Sequence, residues 1–195
     1  MQNSLRLAAM FGAAIATTAL IAGVPALAGS GHRAHQTVMV GGAAMLPARN
    51  IVENAVNSAD HTTLVAAVKA AGLVETLSGA GPFTVFAPTN AAFAKLPAGT
   101  VDTLLKPEQK ATLSKVLTYH VVAGNVSSSQ LVRMIRAGRG KAELTTVSGG
   151  KLTARLIGRS VVLTDEMGGR ARVTQANVAQ ANGVIHVTDA VSLPR

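Results

Sequence analysis

The second half of the chain, after Gly138, is a series of short β-type runs separated by glycine-containing turns. The runs are Glu143–Val147, Lys151–Leu156, Ser160–Thr164, Ala171–Val178 and Val184–Asp189. Gly149-Gly150, Gly158, Gly168-Gly169 and Asn182-Gly183 lie between them and favour tight turns between neighbouring strands. The first half instead has helical periodicity, as in LVAAVKAAG and PEQKATLSKVL. Helices followed by strands predict an α+β domain rather than an alternating parallel α/β one.

The amino terminus has the pattern of a secretory signal peptide. Met1–Arg6 carries one positive charge, Leu7–Val24 is apolar, and Pro25–Ala28 supplies an A-x-A cleavage pattern. We expect cleavage near Ala28 and export of the remaining chain to the periplasm or the medium. The alternative is an uncleaved membrane anchor, because the apolar run approaches the length of a bilayer span.

Residues 29–48 contain Gly, His and Met without a sustained period, and they predict a flexible leader before a single domain at 49–195. His32 and His35 in this leader lack a third ligand, so we predict no metal site. The chain has no Cys, so packing alone must stabilise the domain. We expect it to be a monomer.

Positive charge is concentrated late in the chain, whose formal net charge is +9. Between positions 133 and 172 three acids, Glu143, Asp165 and Glu166, stand against nine basic residues: Arg133, Arg136, Arg139, Lys141, Lys151, Arg155, Arg159, Arg170 and Arg172. A basic patch on an exported protein suggests an anionic polysaccharide or a membrane surface as partner. The alternative is a solvated surface that keeps the protein soluble. The export signal and the scarcity of aromatic residues argue against nucleic acid.

The residues that catalysis requires are not arranged for it. The chain has neither a G-x-S-x-G elbow nor a glycine-rich phosphate loop with its lysine. His120 and His186 are the candidate bases, but apolar residues flank both, which favours a buried and hydrogen-bonded histidine. Asp189 is three residues from His186, and residues three apart on a strand face opposite sides. The sequence therefore predicts a non-enzymatic protein without a cofactor.

The segment GPFTVFAPTNAAF, residues 81–93, reads as a strand, a turn and a helix. Thr89 can cap the helix through its hydroxyl, with Asn90 as a competing cap. With Thr89 as the cap, Pro88 and Phe93 take the positions of a hydrophobic staple. We interpret the segment as a structural joint rather than as a chemical site.

Three stretches together resemble the signatures of the fasciclin domain family. FTVFAPTNAAF resembles the first signature, Tyr119-His120 within TYHVV the central motif, and NGVIHVTDAVSLP the second signature. The resemblance covers about Arg49 to Arg195 and assigns these motif positions: Thr84, Phe86, Pro88, Thr89, Asn90, Phe93, Asn182, Gly183, His186 and Asp189. It implies a compact α+β domain, with a β-wedge or sandwich and helices packed against it.

The resemblance also implies a function, which is extracellular adhesion without catalysis. The partners would be matrix, surface glycans, membranes or other proteins, as for secreted single-domain bacterial members of the family. Asn177-Val178 stands where animal members carry an Asp-Ile pair tied to integrin binding, but the acid is absent here. The candidate partner-binding residues are Tyr119, His120, Asn177, Val178, Arg133, Arg136, Arg139, Arg155 and Arg159.

Two alternatives remain open. Tyr119 can pack in the core while His120 satisfies a backbone group, so that the pair is structural rather than a contact surface. The protein can also be a carrier of a small apolar ligand in a cleft between the helices and the sheet.

Overall fold

The computed structural model describes residues 37–195, so the predicted signal peptide and the His32/His35 pair lie outside the described residues. The helices in this range are α1 (Ile51–Ala55), α2 (Thr62–Ala71), α3 (Val74–Ser78), α4 (Asn90–Phe93), α5 (Thr100–Leu104), α6 (Lys110–Tyr119) and α7 (Ser128–Ala137). Short 3₁₀ turns, Ala59–His61 and Pro107–Gln109, lead into α2 and α6. Among the described helices, none has the length and apolar character needed to cross a membrane.

The strands in the same range are β1 (Val38–Val40), β2 (Ala43–Met45), β3 (Phe83–Pro88), β4 (Val121–Ala123), β5 (Lys141–Thr145), β6 (Lys151–Ile157), β7 (Ser160–Thr164), β8 (Arg170–Gln180) and β9 (Gly183–Thr188). All five strands predicted after Gly138 are present. The predicted order of helices followed by strands is therefore confirmed.

Strands β3 to β9 form one sheet in the order β4-β3-β9-β8-β7-β6-β5. Only the pair β3–β9 is parallel, and the other neighbours are antiparallel. The two edges approach each other, since Val122 bridges to Thr146 and the Val147 N–H donates to the Val121 carbonyl at 2.8 Å. The sheet is therefore curled almost into a closed barrel.

The curled sheet has one core inside it and one outside it. Inside, α7 places Leu131 and Ile135 among residues of β3 to β8, including the fully buried Phe86. Val85 and Ala87, the neighbours of Phe86 on β3, face outward, because successive strand residues point to opposite sides. On that outer side α1 to α6 cover β3, β4 and β9.

Residues 38–45, which lie in the segment predicted to be a flexible leader, instead form the hairpin β1–β2. Val40 and Met45 are buried in the outer core, so this half of the predicted leader belongs to the domain. Gly41 and Gly42 have positive φ angles of 56° and 76° and make the two-residue turn. Strands of three residues are too short to produce a recognisable period, which explains why the sequence pattern missed them.

Candidate functional site

The polar residues of the first signature bond to backbone groups. The Thr84 hydroxyl donates to the Gly124 carbonyl at 2.6 Å and accepts from the Val126 N–H at 2.8 Å. Thr89 caps α4, because its hydroxyl accepts from the Ala92 N–H at 3.2 Å. Asn90 does not cap α4: its side chain accepts from the Thr63 N–H and donates to the Ala59 carbonyl.

The second signature begins with an asparagine that joins three separate segments. The Asn182 side chain accepts from the Ile51 N–H at 3.0 Å and donates to the carbonyls of Leu77 and Gly79 at 2.8 and 2.9 Å. The next residue must be glycine, because a Cβ at Gly183 would lie 2.0 Å from the Phe83 carbonyl oxygen on the paired strand. These two residues therefore fix how β9 meets β3 and the helices.

Tyr119, the first residue of the central motif, is fully buried at the end of α6. Its hydroxyl donates to the Lys151 carbonyl at 2.6 Å and accepts from the Glu166 N–H at 3.2 Å. Its ring lies against Gly150, where a Cβ would come within 2.6 Å of a ring carbon. Burial raises the pKa of Tyr119 to about 12, so the hydroxyl keeps its proton at any physiological pH.

His120, the second residue of the motif, has both ring nitrogens occupied. Nδ1 donates to the Val116 carbonyl at 2.8 Å, and Nε2 accepts from the Ser192 N–H at 3.0 Å. These partners require the neutral ring, because a carbonyl only accepts and an N–H only donates. Burial lowers the pKa of His120 and thus maintains that state.

His186 has the same kind of environment inside the barrel. Nε2 donates to the Val126 carbonyl at 2.8 Å, Nδ1 faces the Asn177 N–H at 3.4 Å, and the ring stacks on Phe86 with centroids 5.5 Å apart. Burial lowers the pKa of His186 as well. Asp189 is not its partner, since that carboxylate accepts from the Arg172 N–H at 2.8 Å.

Asp165 and Glu166 hold the segment that follows β9, together with His120. Asp165 accepts from the Leu193 N–H at 2.8 Å, and Glu166 accepts from the Arg195 N–H at 3.2 Å. Glu166 also accepts from the Lys151 N–H, and these backbone donors lower its pKa. The sequence could not show this role, because the acids are 28 and 29 residues from the groups they bind.

Tyr119→Phe tests whether the motif is structural. The substitution leaves the Lys151 carbonyl and the Glu166 N–H without their buried partner, which costs about 1–3 kcal/mol in the free energy of unfolding. We expect urea denaturation to show a loss of this size. Asn125→Ala is the control, because its exposed side chain makes no hydrogen bond within residues 37–195. An unchanged midpoint for Tyr119→Phe would contradict the structural role.

Of the other candidate contact residues, Val178 is buried in the outer core, whereas Asn177 is exposed. Asn177 has a φ of 61°, which Asn tolerates better than most residues. Its side chain accepts from the Ser128 N–H at 2.7 Å and donates to the Ser128 hydroxyl at 2.6 Å, so it holds the start of α7. Neither Tyr119, His120 nor Val178 offers side-chain surface to a partner in this conformation.

The basic residues lie on two kinds of structural element. Arg133, Arg136 and Arg139 are exposed on or just after α7, whose other side packs inside the barrel. Arg155, with Arg170 and Arg172, instead lies on the outward face of β6 and β8, and Arg159 is in the turn between β6 and β7. The arginines of α7 therefore lie on a helix that packs on the inner side of the sheet, whereas the strand arginines lie on its outward face.

Two small apolar cavities lie between the helices and the sheet, with volumes of about 40 and 30 Å³. Both are lined by Ile51, Ala55, Leu64 and Val85. The second cavity also contacts His61, whose Nε2 is buried without a hydrogen-bond partner while Nδ1 lies 2.9 Å from the Ser58 hydroxyl. Burial lowers the pKa of His61. Within residues 37–195, no group of three or more His, Asp or Glu is placed to bind a metal ion.

Comparison with known proteins agrees with this architecture. Protein sll1483 of Synechocystis sp. is 44% identical over 191 residues, covering 97% of this chain and 99% of that protein. The immunogenic protein MPB70 of Mycobacterium bovis is 37% identical over 143 residues, covering 71% of this chain and 65% of its own. The cell surface glycolipoprotein MPB83 of the same species is 42% identical over 122 residues, covering 63% of this chain and 48% of that protein.

A FAS1 domain pair from the insect cell adhesion molecule Fasciclin I has a similar fold, with a TM-score of 0.65 and 18% identity. The match covers 73% of this chain and 50% of that one. The model of the fasciclin domain matches residues 59–194, which include all three signatures. The chain therefore belongs to the fasciclin domain family and has the family's α+β fold.

Proposed function

We propose that the protein is an exported, non-enzymatic adhesion module that binds partners at a cell surface or in the extracellular matrix. The main support for this proposal is that the protein's ionisable and hydroxyl side chains are engaged in hydrogen bonds within the fold. Tyr119, His120, His186, Asp165 and Glu166 all bond to backbone groups, so none of these side chains is free to act on a substrate. The signature residues therefore stabilise the fold, and we place partner binding on the exposed surface.

The relatives support a location outside the cytoplasm and a binding role. MPB83 is named as a cell surface glycolipoprotein, and the structural neighbour belongs to a cell adhesion molecule. The expected signal peptide of residues 1–28 agrees with such a location.

An adhesion assay tests the proposal directly. Beads coated with the exported protein are expected to be retained on whole cells or matrix, saturably and more than beads coated with an unrelated protein of equal net charge. Fractionation of the producing cells should place the protein outside the cytoplasm. Retention no greater than that of the control beads would contradict the adhesion role. A catalytic activity abolished by His120→Asn in a folded protein would contradict the non-enzymatic role.

A second candidate function is transport of a small apolar ligand, which the two apolar cavities favour. At 40 and 30 Å³ each holds only a few water-sized groups, so a larger ligand requires α1 or α2 to move outward. His61 Nε2 would then supply one hydrogen bond to the ligand.

Organic extraction of the purified protein tests the carrier function. The extract should contain an apolar compound in roughly equimolar amount. Ala55→Phe, which fills the space shared by both cavities, should lower that amount, whereas the exposed Met167→Phe should not. An extract without such a compound, together with unchanged thermal stability in the presence of added oleate, would exclude the carrier function.

A further inference from the structure

The outward face of strands β5 to β8 carries an ordered array of cations. Backbone pairing puts Lys141 opposite Arg155, Arg155 opposite Val162, and Val162 opposite Arg172, so all four side chains are in one row on one face. Neighbouring strands are about 4.8 Å apart, so the row from Lys141 to Arg172 spans roughly 14 Å. Arg170 lies on the same face two residues before Arg172.

The acidic groups near this array leave its arginines unpaired. Within residues 37–195 the two ion pairs both involve Glu143, which lies 3.9 Å from Lys141 and 3.4 Å from Lys151. Asp189 accepts the Arg172 backbone N–H but makes no ion pair with its guanidinium. Arg155, Arg170 and Arg172 are therefore exposed cations without a carboxylate partner in the described part of the chain.

Val162, the apolar member of this row, is buried although it faces outward. It is only 6% exposed and belongs to neither core. Its cross-strand neighbours on this face are Arg155 and Arg172, whose aliphatic stems are long enough to lie over it. Arginine stems commonly cover apolar surface in this way while the charged ends stay in water. Side chains already held in place lose less entropy when they bind.

A shallow groove of about 240 Å³ runs across the array. It is lined by Arg155, Arg170, Thr153, Thr164 and Ile157. It therefore combines two guanidinium groups, which bind carboxylate or sulfate in a bidentate manner, with two hydroxyls that can exchange hydrogen bonds with sugar hydroxyls.

From this geometry we infer that the groove, together with the row formed by Lys141, Arg155 and Arg172, binds a linear acidic polysaccharide. The inference rests on the proposed adhesion function and names its binding surface and partner class. A membrane is a poorer fit, because Ile157 is the one apolar side chain lining the groove. Nucleic acid is also a poorer fit, because Tyr119, Phe86 and Phe93 are buried and Phe83 is half-buried, which leaves no exposed ring in the described chain for base stacking.

The helix arginines provide a matched control for this inference. Arg133, Arg136 and Arg139 are also exposed, but Arg133 and Arg136 lie on α7, whose other side packs inside the barrel, rather than on the outward face of the sheet. Arg139 also lies beyond the end of α7, with a φ of 55°. Replacing these three arginines by Gln changes the net charge by the same amount as replacing Arg155, Arg170 and Arg172.

Binding of the exported protein to immobilised heparin and polygalacturonate tests the inference. The variant R155Q/R170Q/R172Q should lose about 10–100-fold in affinity, because it removes three exposed ionic contacts. R133Q/R136Q/R139Q should lose less than about threefold, and the affinity of the native protein should fall steeply with salt. Circular dichroism and thermal unfolding check that both variants remain folded.

Three results would overturn the inference: equal losses in both triple variants, native binding that does not depend on salt, or tighter binding to phosphatidylserine vesicles or single-stranded DNA than to either polysaccharide. Failure of the adhesion function is distinguishable from these outcomes. If coated beads still adhere to cells while the polysaccharides do not bind, only the present inference fails.

Discussion

Phe86→Ala should lower the free energy of unfolding by about 3–5 kcal/mol, a large part of the 5–15 kcal/mol typical of a domain. Phe86 is fully buried at the centre of the barrel, where it stacks on His186. Its removal leaves a cavity between β3 and α7 that the surrounding strands can fill only partly. We expect the thermal midpoint to fall by roughly 6–20 °C.

Two further variants sharpen the Phe86 experiment. Phe86→Leu keeps most of the volume and should cost less than about 1.5 kcal/mol. Met167→Ala removes a side chain that is 65% exposed and should change stability by no more than about 0.5 kcal/mol. A Phe86→Ala protein that kept its native stability but lost adhesion would mean that the first signature is a contact surface instead of part of the core.

Acidification below pH 6.5 should destabilise the domain steeply, because the pKa values of His61, His120 and His186 are all lowered by burial. The unfolded chain takes up protons near pH 6.5, while the folded domain keeps these rings neutral to lower pH. The stabilisation is therefore fully present above pH 6.5 and is lost as pH falls towards the folded pKa values. Each histidine contributes a slope of at most about 1.4 kcal/mol per pH unit, so the three together contribute at most roughly 4 kcal/mol per pH unit.

Urea denaturation between pH 7.5 and pH 5 measures this slope. His120→Asn removes one titrating ring and should reduce the slope by up to about 1.4 kcal/mol per pH unit, whatever its own cost in stability. Glu166 does not affect the slope between pH 7.5 and pH 5. Its pKa is lowered in the fold, so the stability that it contributes is lost only below pH 4.5. A slope that is the same in the native protein and in His120→Asn would show that His120 does not remain neutral in the fold.

The sequence predicted those parts of the fold that depend on neighbouring residues. The strands after Gly138 were recognisable because glycine turns separate them, and Thr89 was correctly identified as the cap of α4. Apolar neighbours predicted the burial of His120 and His186. The atoms that these rings bind could not be predicted, because Ser192 and Val126 are 72 and 60 residues away.

The candidate binding surface was only partly predictable for the same reason. Alternation along β6 puts Lys151, Thr153 and Arg155 on one face and Leu152 and Ala154 on the other, as the sequence of this strand suggests. That α7 packs on the inner face, and so separates its arginines from those of the strands, depends on tertiary contacts. Charge counting along the chain therefore could not distinguish the arginines of α7 from those on the outward face of the strands.

The position of β9 has a consequence for biogenesis. This strand is near the end of the chain, yet it lies between β3 and β8 and pairs in parallel with β3, which precedes it by 100 residues in register. As the polypeptide is synthesised, β3 cannot acquire this neighbour until β9 and the residues between the two strands have been added. Such non-local pairing slows folding towards milliseconds to seconds. β3 therefore lacks its parallel neighbour until β9 has been synthesised, so the middle of the sheet cannot be completed before that point.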